Sequence, residues 1–110
     1  MKYRQSTKER VKQLRALMLI HSYLYYVLDE PIVSDHQWQD WADELVLKQK
    51  LIMAIDFYDY EFCDWDASSG YHLPRDEWVK RKAVYILQLH KKLTRPPQKR
   101  KTLRKQLTFF

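Results

Sequence analysis

The chain has 110 residues, 45% of them hydrophobic and 31% charged, enough for one small domain with a modest core and too apolar for a disordered segment. Its single glycine excludes Gly-rich phosphate loops and dinucleotide fingerprints, which need several. The net charge of +6 hides three blocks: six bases and one acid in residues 1–20, two bases and eleven acids in 21–66, and twelve bases and two acids in 75–110. Basic ends around an acidic middle admit a polyanion partner, although solvated faces account for most charge runs.

The first predicted helix begins near Ser6, which with Glu9 has the spacing of a capping box. Val11, Leu14, Met18, His21, Tyr25 and Leu28 recur every three or four residues, with Leu17, Ile20, Leu24 and Val27 beside them. That is a wide apolar helical face. Pro31 is expected to end it by forcing Glu30 out of helical geometry. A second helix is predicted from Ser34, with Gln37 as capping partner, Asp35 in its first turn, and Trp38, Trp41, Ala42 and Leu45 as its buried stripe. So short a turn between them predicts an antiparallel helical hairpin.

After Leu51 the period blurs, and helix is expected to continue to about Phe57. YEFCDWDASSGYHL reads as an ordered acidic loop. Pro74 fits the first position of a third helix, with Asp76 and Glu77 in its first turn and Val79, Ala83, Ile86, His90 and Leu93 on its inner face. Arg95-Pro96-Pro97 ends it. The expected fold is therefore all-α: a single domain over residues 1–97 comprising a helical hairpin, a long acidic loop and a third helix, then a basic tail over 98–110. In the tail, Leu103, Leu107 and Phe110 have helical spacing, compatible with a short docked helix or a mobile end.

No apolar run approaches the roughly 20 residues of a membrane span, and the N-terminal residues lack the apolar core of a secretory signal. Cys63, the one cysteine, has no internal disulfide partner. These features predict a protein without membrane association in a reducing cytoplasm.

The segment HSYLYYVLDEPIVSDHQW carries a longer signal. It resembles the N-terminal Ia domain of bacterial NAD-dependent DNA ligases, whose helix–turn–helix pattern is close to H-x-Y-x-Y-Y-x-x-D-x-P-x-I-S-D-x-E-Y-D. His21, Tyr23, Tyr25, Tyr26, Asp29, Pro31, Ser34 and Asp35 match that pattern, and the resemblance covers roughly residues 8–50. It implies a module that closes over the nicotinamide mononucleotide half of NAD, two tyrosines flanking the nicotinamide ring and carboxylates engaging the rest. Carried over by position, it makes Tyr25, Tyr26, Asp35 and Trp38 candidate nucleotide-binding residues, Trp38 standing where the pattern has tyrosine. Gln39 stands where the pattern has aspartate and loses a charge, and Asp40, about 100° further round the helix, substitutes poorly. The family's nucleophile motif, K-x-D-G, is absent from these 110 residues, and no four-cysteine zinc site is present. No catalysis is expected. The resemblance also extends to short phage and prophage proteins that carry this ligase-like segment alone.

Other constellations are weaker. Asp64, Asp66 and Ser68 fit positions 1, 3 and 5 of a calcium loop, but Gly70 falls at position 7 and Arg75 where the bidentate glutamate belongs. A turn held by side-chain-to-backbone hydrogen bonds is the simpler reading. His21, His36, His72 and His90 fall at no paired metal spacing with one another or with Cys63, so no metal is expected, and His90 reads as a core histidine. Lys91, Lys92, Arg95, Lys99, Arg100, Lys101, Arg104 and Lys105 form a candidate polyanion surface. Asp59, Glu61, Asp64 and Asp66 form a candidate acidic interaction surface.

Two functions are open. One is a non-catalytic phage or prophage accessory protein that binds nucleic acid or a nucleic-acid enzyme, an anti-CRISPR-like inhibitor of host defence being one form. The other is a stand-alone module for nicotinamide mononucleotide or NAD. The uncharged Gln39 favours the first.

Overall fold

The structure, a computed structural model, describes residues 5–94. Among them are four helices and no strand: α1 (Thr7–Tyr26), α2 (Asp35–Gln49), α3 (Asp59–Phe62) and α4 (Glu77–Thr94). The fold is all-α. Arg95, Lys99, Arg100, Lys101, Arg104 and Lys105, and the helical spacing expected in the tail, lie outside the described residues.

α1 is the central element, packed against both α2 and α4. Two partners explain its wide apolar face: Val11, Leu14, Met18, Leu19 and Leu24 are all buried, and polar Arg15, His21 and Ser22 are buried with them. Its start follows the capping box, with Ser6 Oγ accepting from the Glu9 amide and the Glu9 carboxylate accepting from the Ser6 amide. α1 and α2 run antiparallel. Arg10, near the start of α1, makes a two-pronged ion pair with Glu44 late in α2 (2.7 and 2.8 Å), while Trp38, early in α2, donates to Ser22 late in α1.

Four sequence expectations need correction. α1 stops at Tyr26, four residues before Glu30, because the chain itself turns back. The amides of Val27 and Leu28 donate to the Tyr23 carbonyl, that of Glu30 donates to the Leu24 carbonyl, and Asp29 adopts a left-handed φ of 54°. Pro31 follows this turn and does not cause it.

α2 ends at Gln49, and residues 51–57 are not helical. The Asp59 carboxylate gathers the amides of Ile55 and Asp56, and buried Arg15 donates to the Phe57 carbonyl, so this stretch folds back over α1. α3, a single turn within the expected loop, seats Phe62 in the core.

α4 starts at Glu77, three residues beyond Pro74. Asp76 caps it, its carboxylate accepting from the Val79 amide and its carbonyl from Lys80. The inner stripe is Val79, Ala83 and Leu87. His90 and Leu93 are exposed, as is every residue from Gln88 to Thr94. His90 is not a core histidine.

Arg15 is the polar linchpin of the fold. It is 5% exposed and donates to Asp59 (2.7 Å), the Phe57 carbonyl (3.0 Å) and Gln49 (3.2 Å). The hydrogen bond from Arg15 holds the Asp59 carboxyl below the usual carboxylate range. Its contribution is therefore full above the unfolded-state value near pH 4 and disappears as pH falls through the lower folded value. Arg15→Met is expected to lower stability by about 2 kcal/mol in urea unfolding, since two half-buried acceptors and a carboxylate lose their donor. Asp59→Asn should flatten the acid limb of the stability curve, and an unchanged acid limb would argue against this pairing.

Candidate functional site

The turn between α1 and α2 opens on a cavity of about 200 Å³. Three segments form its walls. The end of α1 supplies His21, Ser22, Tyr25 and Tyr26; the turn and the start of α2 supply Ser34, Asp35, Trp38 and Gln39; and the acidic loop supplies Ser68 and Ser69.

Helical spacing explains the first wall. His21 and Ser22 lie one turn before Tyr25 and Tyr26, so the four stack along one side of α1. Tyr23 points elsewhere and is buried in the core. Tyr25 and Tyr26 sit edge to face at 4.7 Å, half exposed at the rim. His21 is buried against Trp41, with ring centroids 5.3 Å apart. Burial pushes its pKa down to about 4, so the ring is neutral near neutral pH. Its Nδ1 has no hydrogen-bond partner among the described residues.

The second wall rests on the α2 cap. Ser34 Oγ accepts from the Gln37 amide, which fixes the start of the helix and places Asp35 in its first turn. Trp38, one turn on, reaches across to α1 and donates to Ser22 Oγ at 3.3 Å.

The third wall could not be read from the sequence. Gly70 packs so closely on Ser22 that a Cβ there would clash with that side chain and lie 3.2 Å from Trp38. Gln39 donates to the Ala67 carbonyl at 3.2 Å, and the Tyr26 hydroxyl lies 3.3 Å from Ser69 Oγ. Trp65 packs edge-on against Trp38 and donates to the Ser69 carbonyl, while Tyr71 packs edge-on against Tyr26. Asp66 accepts from the Ser68 amide, so this acid shapes the loop. Gln39 thus has a structural use that an aspartate lacks, because only the amide can donate to a carbonyl.

The structure brings the four nucleotide-site candidates Tyr25, Tyr26, Asp35 and Trp38 into one cavity. The remaining candidates are scattered. Asp59 faces inward to Arg15, whereas Glu61, Asp64 and Asp66 are exposed. Lys91 pairs with Glu30 at 2.9 Å and Lys92 is exposed. Among the described residues no three His, Cys, Asp or Glu side chains come together as a metal site.

The family model described as DNA ligase-like, N-terminal NAD+-binding domain matches residues 4–62, more than half of the chain. The chain belongs to this family. The match is longer than the 8–50 span visible in the motif and includes α3, but it stops before the third wall. The DNA ligase of Alkaliphilus oremlandii is 52% identical over 47 residues, 43% of this chain and 7% of that ligase. That of Carboxydothermus hydrogenoformans is 42% identical over 43 residues, 39% of this chain and 6% of the ligase. That of Pseudothermotoga lettingae is 38% identical over 50 residues, 46% of this chain and 7% of the ligase. The chain thus spans less than a tenth of the length of these curated relatives. No solved structure matches it.

Beyond the matched segment, Gly70 tests the third wall. Gly70→Ala is expected to cost about 2 kcal/mol in chemical unfolding, because the added methyl must displace Ser22 or Trp38. Ser22→Gly in the same chain should recover part of that loss. A Gly70→Ala protein as stable as the parent would mean the loop does not sit on the hairpin.

Proposed function

We propose that this chain binds the nicotinamide nucleoside end of NAD or of nicotinamide mononucleotide and performs no covalent chemistry on it. The carrying observation is that the family's aromatic and acidic motif positions, here Tyr25, Tyr26, Trp38 and Asp35, line one cavity. Three aromatic rings around a small concave space suit a flat heteroaromatic base, and Asp35 and the serine hydroxyls offer acceptors for ribose. The sequence lacks K-x-D-G, and the matched region is the NAD+-binding domain alone, which supports binding without adenylyl transfer. A phage accessory or host-defence role draws no support from the cavity or the relatives.

Calorimetric titration with nicotinamide mononucleotide and NAD is expected to show saturable binding with Kd at or below about 1 mM. Tyr25 is 47% exposed, so Tyr25→Ala leaves the core intact and should weaken binding by about tenfold or more. No saturable heat with either ligand, or with the phosphate-free nucleoside, at millimolar concentration would sink this reading.

A second reading concerns the outer face of α4. Arg81, Tyr85, Gln88 and Lys92 recur at helical spacing on the side opposite Val79, Ala83 and Leu87, and all four are exposed. A basic stripe with an interleaved aromatic ring suits a nucleic-acid backbone. Binding to short duplex or single-stranded DNA should fall steeply with salt, and Arg81→Gln with Lys92→Gln should reduce the slope of log K against log salt by about two. Salt-independent binding would count against it.

A further inference from the structure

The base, sugar and phosphate of a nicotinamide nucleotide differ in charge, and the cavity is electrostatically one-sided. Asp35 is the one carboxylate in its lining, Tyr25, Tyr26 and Trp38 present π surfaces, and among the described residues no lysine or arginine lines it. His21 adds no positive charge near neutral pH, since burial holds its pKa down to about 4. The N-terminal end of α2 is a source of positive potential, but Asp35 stands in its first turn and opposes it, and the Gln37 amide there already donates to Ser34 Oγ.

Size and closure point the same way. A volume of about 200 Å³ lies below the roughly 300–1,000 Å³ typical of sites for drug-sized ligands. The Ser68–Ser69 wall, tied down through Gln39, Tyr26 and Gly70, closes one side with neutral groups. His21 Nδ1, buried and without a partner, leaves one polar group of the site unsatisfied.

We infer that this cavity selects a phosphate-free pyridinium nucleoside, of which nicotinamide riboside is the probe at hand, over nicotinamide mononucleotide and NAD. The inference rests on the nicotinamide reading above and narrows it. The quaternary pyridinium ring carries a permanent positive charge, which aromatic faces and Asp35 attract. Near neutral pH a phosphomonoester adds about −1.5 to −2. The riboside is then a net cation and the mononucleotide a net anion, facing a cavity that, among the described residues, is lined by the acidic Asp35 and by no lysine or arginine.

Isothermal titration of the full chain with nicotinamide riboside, nicotinamide mononucleotide, NAD and neutral nicotinamide, at low and high salt, separates the possibilities. The riboside is expected to bind about tenfold or more tightly than the other three, with its lead over the mononucleotide narrowing as salt rises. Asp35→Asn should bring the riboside close to the mononucleotide, and the salt series gives the same information in the parent chain if that variant folds poorly. Mononucleotide binding as tight as or tighter than riboside binding would overturn the selectivity while leaving the nicotinamide reading intact. Binding of none of the nicotinamide nucleosides or nucleotides would remove that reading, and the selectivity with it.

Discussion

Ser22 is small, buried and placed one turn before Tyr26, and the arrangement around the cavity depends on the space it leaves. Into that space comes Gly70, the one position in the chain where backbone arrives without a side chain. Trp38 crosses from α2 to the same hydroxyl. One serine thereby joins three segments far apart in sequence: the end of α1, the start of α2 and the acidic loop. A larger residue at 70 must displace Ser22 or Trp38, the two side chains on which the loop and the hairpin meet.

Charge plays a different part from the one its distribution along the chain suggests. Part of the acidic middle is engaged within the fold. Glu44 and Asp59 are paired with Arg10 and Arg15, and Asp66 accepts a backbone amide that shapes a turn, while Glu61 and Asp64 stay exposed. Both paired carboxyls are held below their ordinary range, first of all by the arginine hydrogen bond each receives. The N-terminal basic block therefore meets the acidic middle within the fold at Arg10–Glu44 and Arg15–Asp59, and the C-terminal block meets it at Lys91–Glu30. What remains outward on α4 is a basic stripe, and what remains in the cavity is a single carboxylate.

Local chemistry was legible in the sequence where it acts over one helical turn. The Ser6–Glu9 box, the Ser34 cap and the buried Ala42 and Leu45 follow directly from residue type and spacing. So did the placement of Tyr25, Tyr26, Asp35 and Trp38 around one turn, through a motif whose spacing brings its members together. Competing local interactions misled the reading elsewhere. Asp29 turns the chain before Pro31 can, Asp76 captures the α4 amides that Pro74 was expected to precede, and Asp59 draws residues 51–57 out of helix. The third wall was beyond reach because its two hydrogen bonds to the hairpin join residues 28 and 43 positions apart, and neither Gln39 nor Ser69 carries a mark of its partner. Gln39 was read as a lost charge. Its amide is instead the hydrogen-bond donor that an added wall requires.

The boundary of the shared segment at residue 62 runs through the middle of the hydrophobic core. Ala67, Leu73, Val79, Ala83 and Leu87 all belong to the same buried cluster as Val11, Leu14 and Met18. Ancestry and cooperativity therefore divide this chain at different points. The inherited hairpin could not be transplanted at its homology limits without laying bare one flank of α1, and the later core positions could not diverge freely, since they pack in one cluster with the older half. The smallest piece that keeps the core of the hairpin covered is larger than the piece the family shares.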